Sequence, residues 1–224
     1  MLNIYKKLLR RKIIFGSTVG AAIFFMTIGV IYWGVFNMAL EVTNDMSFCI
    51  SCHEMENNVY QDYLKTSHYK NRTGVRATCP DCHVPKEWEH MVVRKIGATQ
   101  ELLQKILGTI NTREKFESHR LEMAESVWQS MESTNSRECR NCHAFDAMET
   151  DIQSGRSGLI HQYAQETNKT CINCHKGIAH SLPAETEIYK GGSDADHDYF
   201  EQQSFKCHQC HEDMPNSVEE DWGF

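Results

Sequence analysis

All ten cysteines of this 224-residue chain fall in five copies of one pattern, Cys-x-x-Cys-His. The pairs are Cys49/Cys52, Cys79/Cys82, Cys139/Cys142, Cys171/Cys174 and Cys207/Cys210, followed by His53, His83, His143, His175 and His211. This is the attachment signature for c-type haem. The two thiols of a copy reach the two vinyl groups of one porphyrin, and the adjacent histidine offers an imidazole to the iron. A zinc or disulfide use of the Cys-x-x-Cys pairs would not require a histidine in the fifth position of every copy. The pattern therefore implies five covalently bound haem c groups and a role in moving electrons.

That count governs the fold. Past the first 40 residues, 184 remain for five haems, or about 37 residues each, too few for independent protein cores. The expected architecture is mainly α: a transmembrane helix followed by a compact multihaem domain. Short helices and loops would wrap haems that form much of the core and lie close together.

Charge is distributed unevenly. Residues 1–40 carry Lys6, Lys7, Arg10, Arg11 and Lys12 and no acid, whereas the remainder holds 18 basic and 30 acidic residues. A body of formal charge −12 argues against nucleic acid, which needs clustered positive charge. It suits solubility outside the cell, or steering towards a basic partner.

From Ile13 to Leu40 run 28 residues without a charge. About 20 apolar residues span a bilayer, and the apolar core of a secretory signal is shorter, ~7–15 residues. The segment reads as an uncleaved anchor, since the small-residue pattern around Asn37-Met38-Ala39 suits cleavage poorly. The basic stub 1–12 keeps the N-terminus cytoplasmic by the positive-inside rule, and Tyr32 and Trp33 stand near the far interface. The haem domain is then expected in the periplasm, on a single pass through the cytoplasmic membrane.

The first cysteines of the motifs are spaced by 30, 60, 32 and 36 residues. Motifs one and two form a pair, three and four another at nearly the same spacing, as in a duplicated dihaem unit. The fifth is an appendage. Between the pairs, residues 86–132 show apolar recurrences at three and four (Val92, Ile96, Leu103, Ile106, Leu107, Ile110), which predicts helix. Asn111-Thr112-Arg113-Glu114 predicts a break with a new cap at Asn111 or Thr112. Gly191-Gly192-Ser193-Asp194 reads as a linker to the fifth motif.

Each haem takes an axial ligand on its far face, and that ligand sets potential and reactivity. Seven histidines lie outside the fifth positions: His68, His90, His119, His161, His180, His197 and His208. Counting does not choose among them. His180 follows His175 by five residues, a reach that favours a neighbouring haem over its own. Met55 offers a thioether two residues after His53. Lys95 and Glu101 are six apart, about 120° around an ideal helix, so they do not share one face.

Several segments resemble the NapC/NirT/NrfH family of membrane-anchored multihaem cytochromes, the quinol dehydrogenases. They are the anchor, Cys49 to Met55 as CxxCHxM, TSHYKNRTGVRATCPDCHVPKEW, EKFESHRLEMAESVW, NSRECRNCH and TCINCHKGIAHSLP. The resemblance covers residues 1–183 and is nearest the nitrate-reductase and trimethylamine-oxide-reductase branches. It implies a tetrahaem domain over 41–183 with quinol oxidised at haem 1. By position, Met55 would ligate haem 1, leaving open whether His53 binds iron. His83, His143 and His175 would be proximal ligands of haems 2 to 4. His68 would complete haem 4, His180 haem 3, and Lys95 would approach haem 2. Glu101 would be the quinol-site acid. Residues 184–224 depart from the usual pattern. There His211 is the proximal ligand of haem 5 and His197 its distal candidate, with Met214 and His161 behind it.

The implied activity is oxidation of membrane menaquinol or ubiquinol in anaerobic respiration. Electrons would go to a periplasmic reductase (nitrate, nitrite or trimethylamine-oxide type) or a soluble cytochrome. The lipid bilayer is a further partner, and a homo-oligomer is compatible with the sequence. A competing reading is a passive electron-relay or storage protein with no quinol site of its own. A terminal oxyanion reductase would call for a motif ending in a residue such as lysine, and none of the five does.

Overall fold

The computed structural model describes residues 12–13, 17–153, 155–184 and 194–202. Residues 1–11 of the basic stub, the Gly191–Ser193 stretch and the whole fifth motif lie outside these residues.

The chain begins with a two-residue antiparallel pairing, β1 (Lys12–Ile13) with β2 (Ser17–Thr18), Lys12 opposite Thr18. Thr18 then caps α1 (Val19–Val42), its side chain accepting from Ala21 N at 3.3 Å. The start lies later than the uncharged run begins, because Ser17-Thr18 offers the capping hydroxyl that Ile13 to Phe15 lack. At 24 residues α1 rises about 36 Å, enough to cross a bilayer. None of its side chains is buried. It is an apolar rod without a protein partner along most of its length.

Four short helices carry the described motifs. Asp45 caps α2 (Met46–Ile50), with Oδ1 accepting from Ser47 N at 2.7 Å. A π-helical turn, Met55–Val59, leads into α3 (Tyr60–Tyr63). The second motif is α4 (Cys79–His83). After α5 (Trp88–Leu107) and α6 (Arg113–Ser133), the third motif starts within α7 (Arg137–Arg140). The 3₁₀ turns Phe145–Ala147 and Thr150–Ile152 precede α8 (Gly155–Glu166), the fourth motif forms α9 (Cys171–Cys174), and α10 (Asp194–Gln202) follows.

The expected break in the long helical stretch is present. Gly108 ends α5 in the left-handed region (φ +69°), which favours a residue without a Cβ. Thr112 restarts the chain as the cap of α6, its hydroxyl accepting from Lys115 N at 3.3 Å.

The duplication inferred from spacing has a local counterpart. Thr78 and Asp81 close a reciprocal capping box on α4, and Thr170 and Asn173 close the same box on α9. Thus Thr-Cys-x-Asp/Asn opens the second motif of each pair.

Protein alone makes little core. The buried apolar side chains among the described residues are Tyr63, Phe116, Tyr163, Ala164 and Ile172. So thin an interior cannot hold a body of this size. The haems that the Cys-x-x-Cys-His motifs imply would supply the missing apolar mass.

Candidate functional site: opposed histidine pairs beside four haem-attachment turns

In motifs two and four the Cys-x-x-Cys lies wholly within a helical turn, α4 and α9, which sets Cys79 with Cys82 and Cys171 with Cys174 on one side of the helix. In motif three Cys139 belongs to α7 and Cys142 to the turn that follows. In motifs three and four the histidine N–H closes the turn on the first cysteine, His143 N to Cys139 O and His175 N to Cys171 O, both 2.9 Å. The motif helices touch in sequence order. Helix α2 meets α4, and α4 meets α7. Cys79 lies near Cys49, Cys82 near Cys142, and Cys139 near Cys171. The attachment points therefore run one, two, three, four. The last junction is pinned by Ser136, fully buried in a left-handed conformation (φ +49°), whose Oγ accepts from Ile172 N at 3.1 Å.

Three motif histidines face a second histidine from elsewhere in the chain. His83 faces His180, His143 faces His68, and His175 faces His161, each with ring centroids 6.2 Å apart. Two metal–imidazole bonds of about 2 Å, each extended roughly 1 Å to the ring centre, span about 6 Å. The repeated separation fits one iron between each pair. Ring hydrogen bonds suit ligation as well. Nδ1 of His180 donates to Val59 O at 3.1 Å, and Nδ1 of His161 to Gln153 Oε1 at 2.5 Å, which leaves Nε2 the lone-pair nitrogen. Nδ1 of His68 is buried without a hydrogen-bond partner, a polar atom the protein alone does not complete.

Burial, with His180 and Arg94 beside it, lowers the pKa of His83 to about 4. Burial likewise lowers that of His175, near His161, His143 and His68, and that of His180. These imidazoles are held neutral, the form that binds metal.

The pairings differ from three assignments implied by the resemblance. His180 faces His83 of motif two, where the resemblance implied haem 3. His68 faces His143 of motif three, where it implied haem 4. His161, a reserve candidate for haem 5, faces His175 of motif four. A signal for His161 was present in the duplication: it precedes Cys171 by ten residues, much as His68 precedes Cys79 by eleven.

Lys95 is also placed differently. Its Nζ donates to Thr43 O at 2.7 Å and to Thr43 Oγ1 at 3.0 Å, beside Cys49. The ammonium caps the C-terminal end of α1, where the helix dipole favours a cation, and His83 already has His180 opposite it.

The first motif, like the third, does not keep both cysteines in one helix: Cys49 belongs to α2, but Cys52 lies in the bend beyond its last residue, Ile50. Glu54, the residue after the motif, is buried, and the Lys105 ammonium lies 3.6 Å from its Oε2 in the neighbourhood of Cys52. Sequence reasoning passed over both Glu54 and Lys105.

His53 is 57% exposed and turns Nδ1 towards Glu54 Oε2 at 3.2 Å. No histidine ring pairs with it among the described residues. Met55 opens the π-helical turn, a feature frequent at functional sites. Glu101 is 63% exposed and paired with Arg94 at 2.8 Å. Cys207, Cys210, His211 and the side chain of His197 lie outside the described residues.

The family model for the N-terminal region of the NapC/NirT cytochromes c matches residues 12–185. The chain belongs to the NapC/NirT cytochrome c family. It is 56% identical over 176 residues to the denitrification system component NirT of Stutzerimonas stutzeri, covering 79% of this chain and 88% of that one. It is 54% identical over 155 residues to the cytochrome c-type protein NapC of Escherichia coli K12, covering 69% and 78%. With the cytochrome c-type protein TorY of Escherichia coli O157:H7 it shares 44% over 146 residues, which span 65% of this chain but 40% of TorY. No solved structure gives a significant match. This NapC/NirT cytochrome is thus a membrane-anchored multihaem cytochrome c of anaerobic respiratory electron transport, with covalently held haem c.

Proposed function

We propose that the chain is a quinol dehydrogenase. It takes electrons from membrane menaquinol or ubiquinol at the first motif and delivers them to a periplasmic terminal reductase. The observation that carries this reading is the position of that motif and the absence of an imidazole facing its histidine among the described residues. Cys49 follows the end of α1 by seven residues, Lys95 ties the two together, and this is the described motif without an opposed imidazole. Bound haem c supplies one-electron redox chemistry.

The chain's own residues do the rest. Met55 offers the first site a thioether, which raises potential relative to imidazole, and leaves the opposite face to substrate. Glu101 serves as the acid–base group that accepts the quinol hydroxyl proton; its exposure leaves an exit route to water. The pairs His83/His180, His143/His68 and His175/His161 order the sites away from the membrane. His211 and His197 are assigned to a fifth site. Tyr199 and Phe200 of α10 pack on Tyr163 with centroids 4.6 and 5.0 Å away, two residues beyond His161. Cys207 follows Phe200 by seven residues in sequence.

The orientation follows the charge asymmetry, with the N-terminus cytoplasmic and the haem body periplasmic. The name of the relative NirT supports an oxidised-nitrogen reductase as the acceptor partner. The test is anaerobic addition of menaquinol or ubiquinol analogues to the full-length protein in lipid nanodiscs, followed by haem absorption. Quinol is expected to reduce the protein, and Glu101→Gln to slow that reaction roughly a hundredfold while dithionite reduction is unchanged. Failure of both quinols to reduce a protein that dithionite reduces would establish the passive relay instead.

A further inference from the structure

Helix α5 carries an exposed apolar stripe opposite the residues that attach it to the body, and two further exposed apolar residues, Leu102 and Ile106 (55% and 81%), on or beside the attaching side. Met91, Arg94, Lys95 and Lys105 attach it to the body: Asn44 Nδ2 donates to Met91 Sδ at 3.2 Å, Arg94 Nε to His83 O at 3.3 Å, Lys95 to Thr43, and Lys105 pairs with Glu54. At 100° per residue these four lie within an arc of about 100°. Val93, Ile96, Leu103 and Leu107 fall in a separate arc of about 80° on the other side. They are 67%, 65%, 46% and 67% exposed. They point away from the first motif, so bound haem there does not account for the stripe. Glu89 and Gln100 are the polar interruptions on it.

We infer that α5 is a second membrane contact, its stripe of Val93, Ile96, Leu103 and Leu107 seated in the interfacial layer of the bilayer that α1 spans. Continuity with α1 identifies lipid as the occupant. Trp88, the first residue of α5, contacts Trp33 and Phe36 with centroids 5.8 and 6.5 Å away. Those residues precede Val42 by nine and six positions, about 13 and 9 Å of helix rise. Helix α5 therefore begins against the aromatic residues that the sequence places near the far interface of the anchor. Amphipathic helices that lie on membranes sink their apolar faces ~5–10 Å into the headgroup boundary. Such a contact fixes the first motif against the membrane from two sides, by α1 and by α5. The inference rests on the membrane anchor and is independent of quinol oxidation.

The test places the photo-reactive residue p-benzoylphenylalanine at Ile96 or Leu103, and at His90 on the polar side, in full-length holoprotein in its own membrane. Intact mass after irradiation should show lipid adducts several-fold more abundant from Ile96 and Leu103. Equal yields from both faces, absence of lipid adducts at the stripe, or crosslinks there to a second copy or another protein would each overturn the inference. A second measurement needs no substitution: hydroxyl-radical footprinting of the holoprotein in lipid nanodiscs. Ile96 and Leu107 should be oxidised several-fold less than Ile152, which is 80% exposed. Equal oxidation would overturn the inference as well.

Discussion

His83 and His180 face one another with ring planes 26° from parallel and centroids 6.2 Å apart, although 97 residues separate them in sequence. This pair joins the last described segment of the tetrahaem body to its second motif. Replacing His180 with alanine should convert one low-spin site to high spin, seen by electron paramagnetic resonance. Quinol-driven reduction should then stop short of the third and fourth sites. His119→Ala is the matched control. Its Nδ1 meets Lys115 O at 2.9 Å within its own helix, and the change should stay within about 0.5 kcal/mol of wild-type stability.

Asp62 fixes the segment that carries His180. Arg120 hydrogen-bonds its Oδ2 at 2.5 Å, Ser181 N donates to the same oxygen at 3.2 Å, and Arg120 also donates to Ser181 O at 2.8 Å. Burial opposes ionisation of Asp62, but Arg120 and the Ser181 N–H outweigh it and hold the pKa below the ordinary 3.8. The stability this carboxylate contributes is complete above the unfolded value and lost as pH falls through the folded one. Asp62→Asn should cost about 1.5–3 kcal/mol at pH 7, measured by urea unfolding, and the deficit should shrink on acidification below about pH 4.

Ser136 joins motifs three and four through one buried hydrogen bond to Ile172 N. Ser136→Ala strands that N–H and should cost about 1–3 kcal/mol. Thermal unfolding followed at the haem bands would record the loss.

Much of this arrangement was legible in the sequence, and the exceptions share a cause. The motifs, the anchor and the helix break at Gly108–Thr112 are local patterns, written in residues a few positions apart. Ligand pairing is not local. His68, His161 and His180 reach their partners across 75, 14 and 97 residues, and which motif each meets depends on how the short helices stack. The Glu54–Lys105 ion pair carried no local signal either, because it arises from α5 packing beside the motif.

Lys95 separates the two accounts of the second site. If its ammonium serves Thr43 at the end of α1, Lys95→Met should leave the ligand spectrum of the second site unchanged. The same substitution should loosen α5 from α1 at a cost of about 1.5–3 kcal/mol for the lost charged hydrogen bonds, read by urea unfolding.

The most direct test of the ligand scheme is near-infrared magnetic circular dichroism of the oxidised full-length protein, which distinguishes axial ligand pairs by their charge-transfer bands. The paired rings predict a bis-imidazole signal from the second, third and fourth sites, and no imidazole–amine signal. A histidine–lysine band would contradict the pairing of His83 with His180.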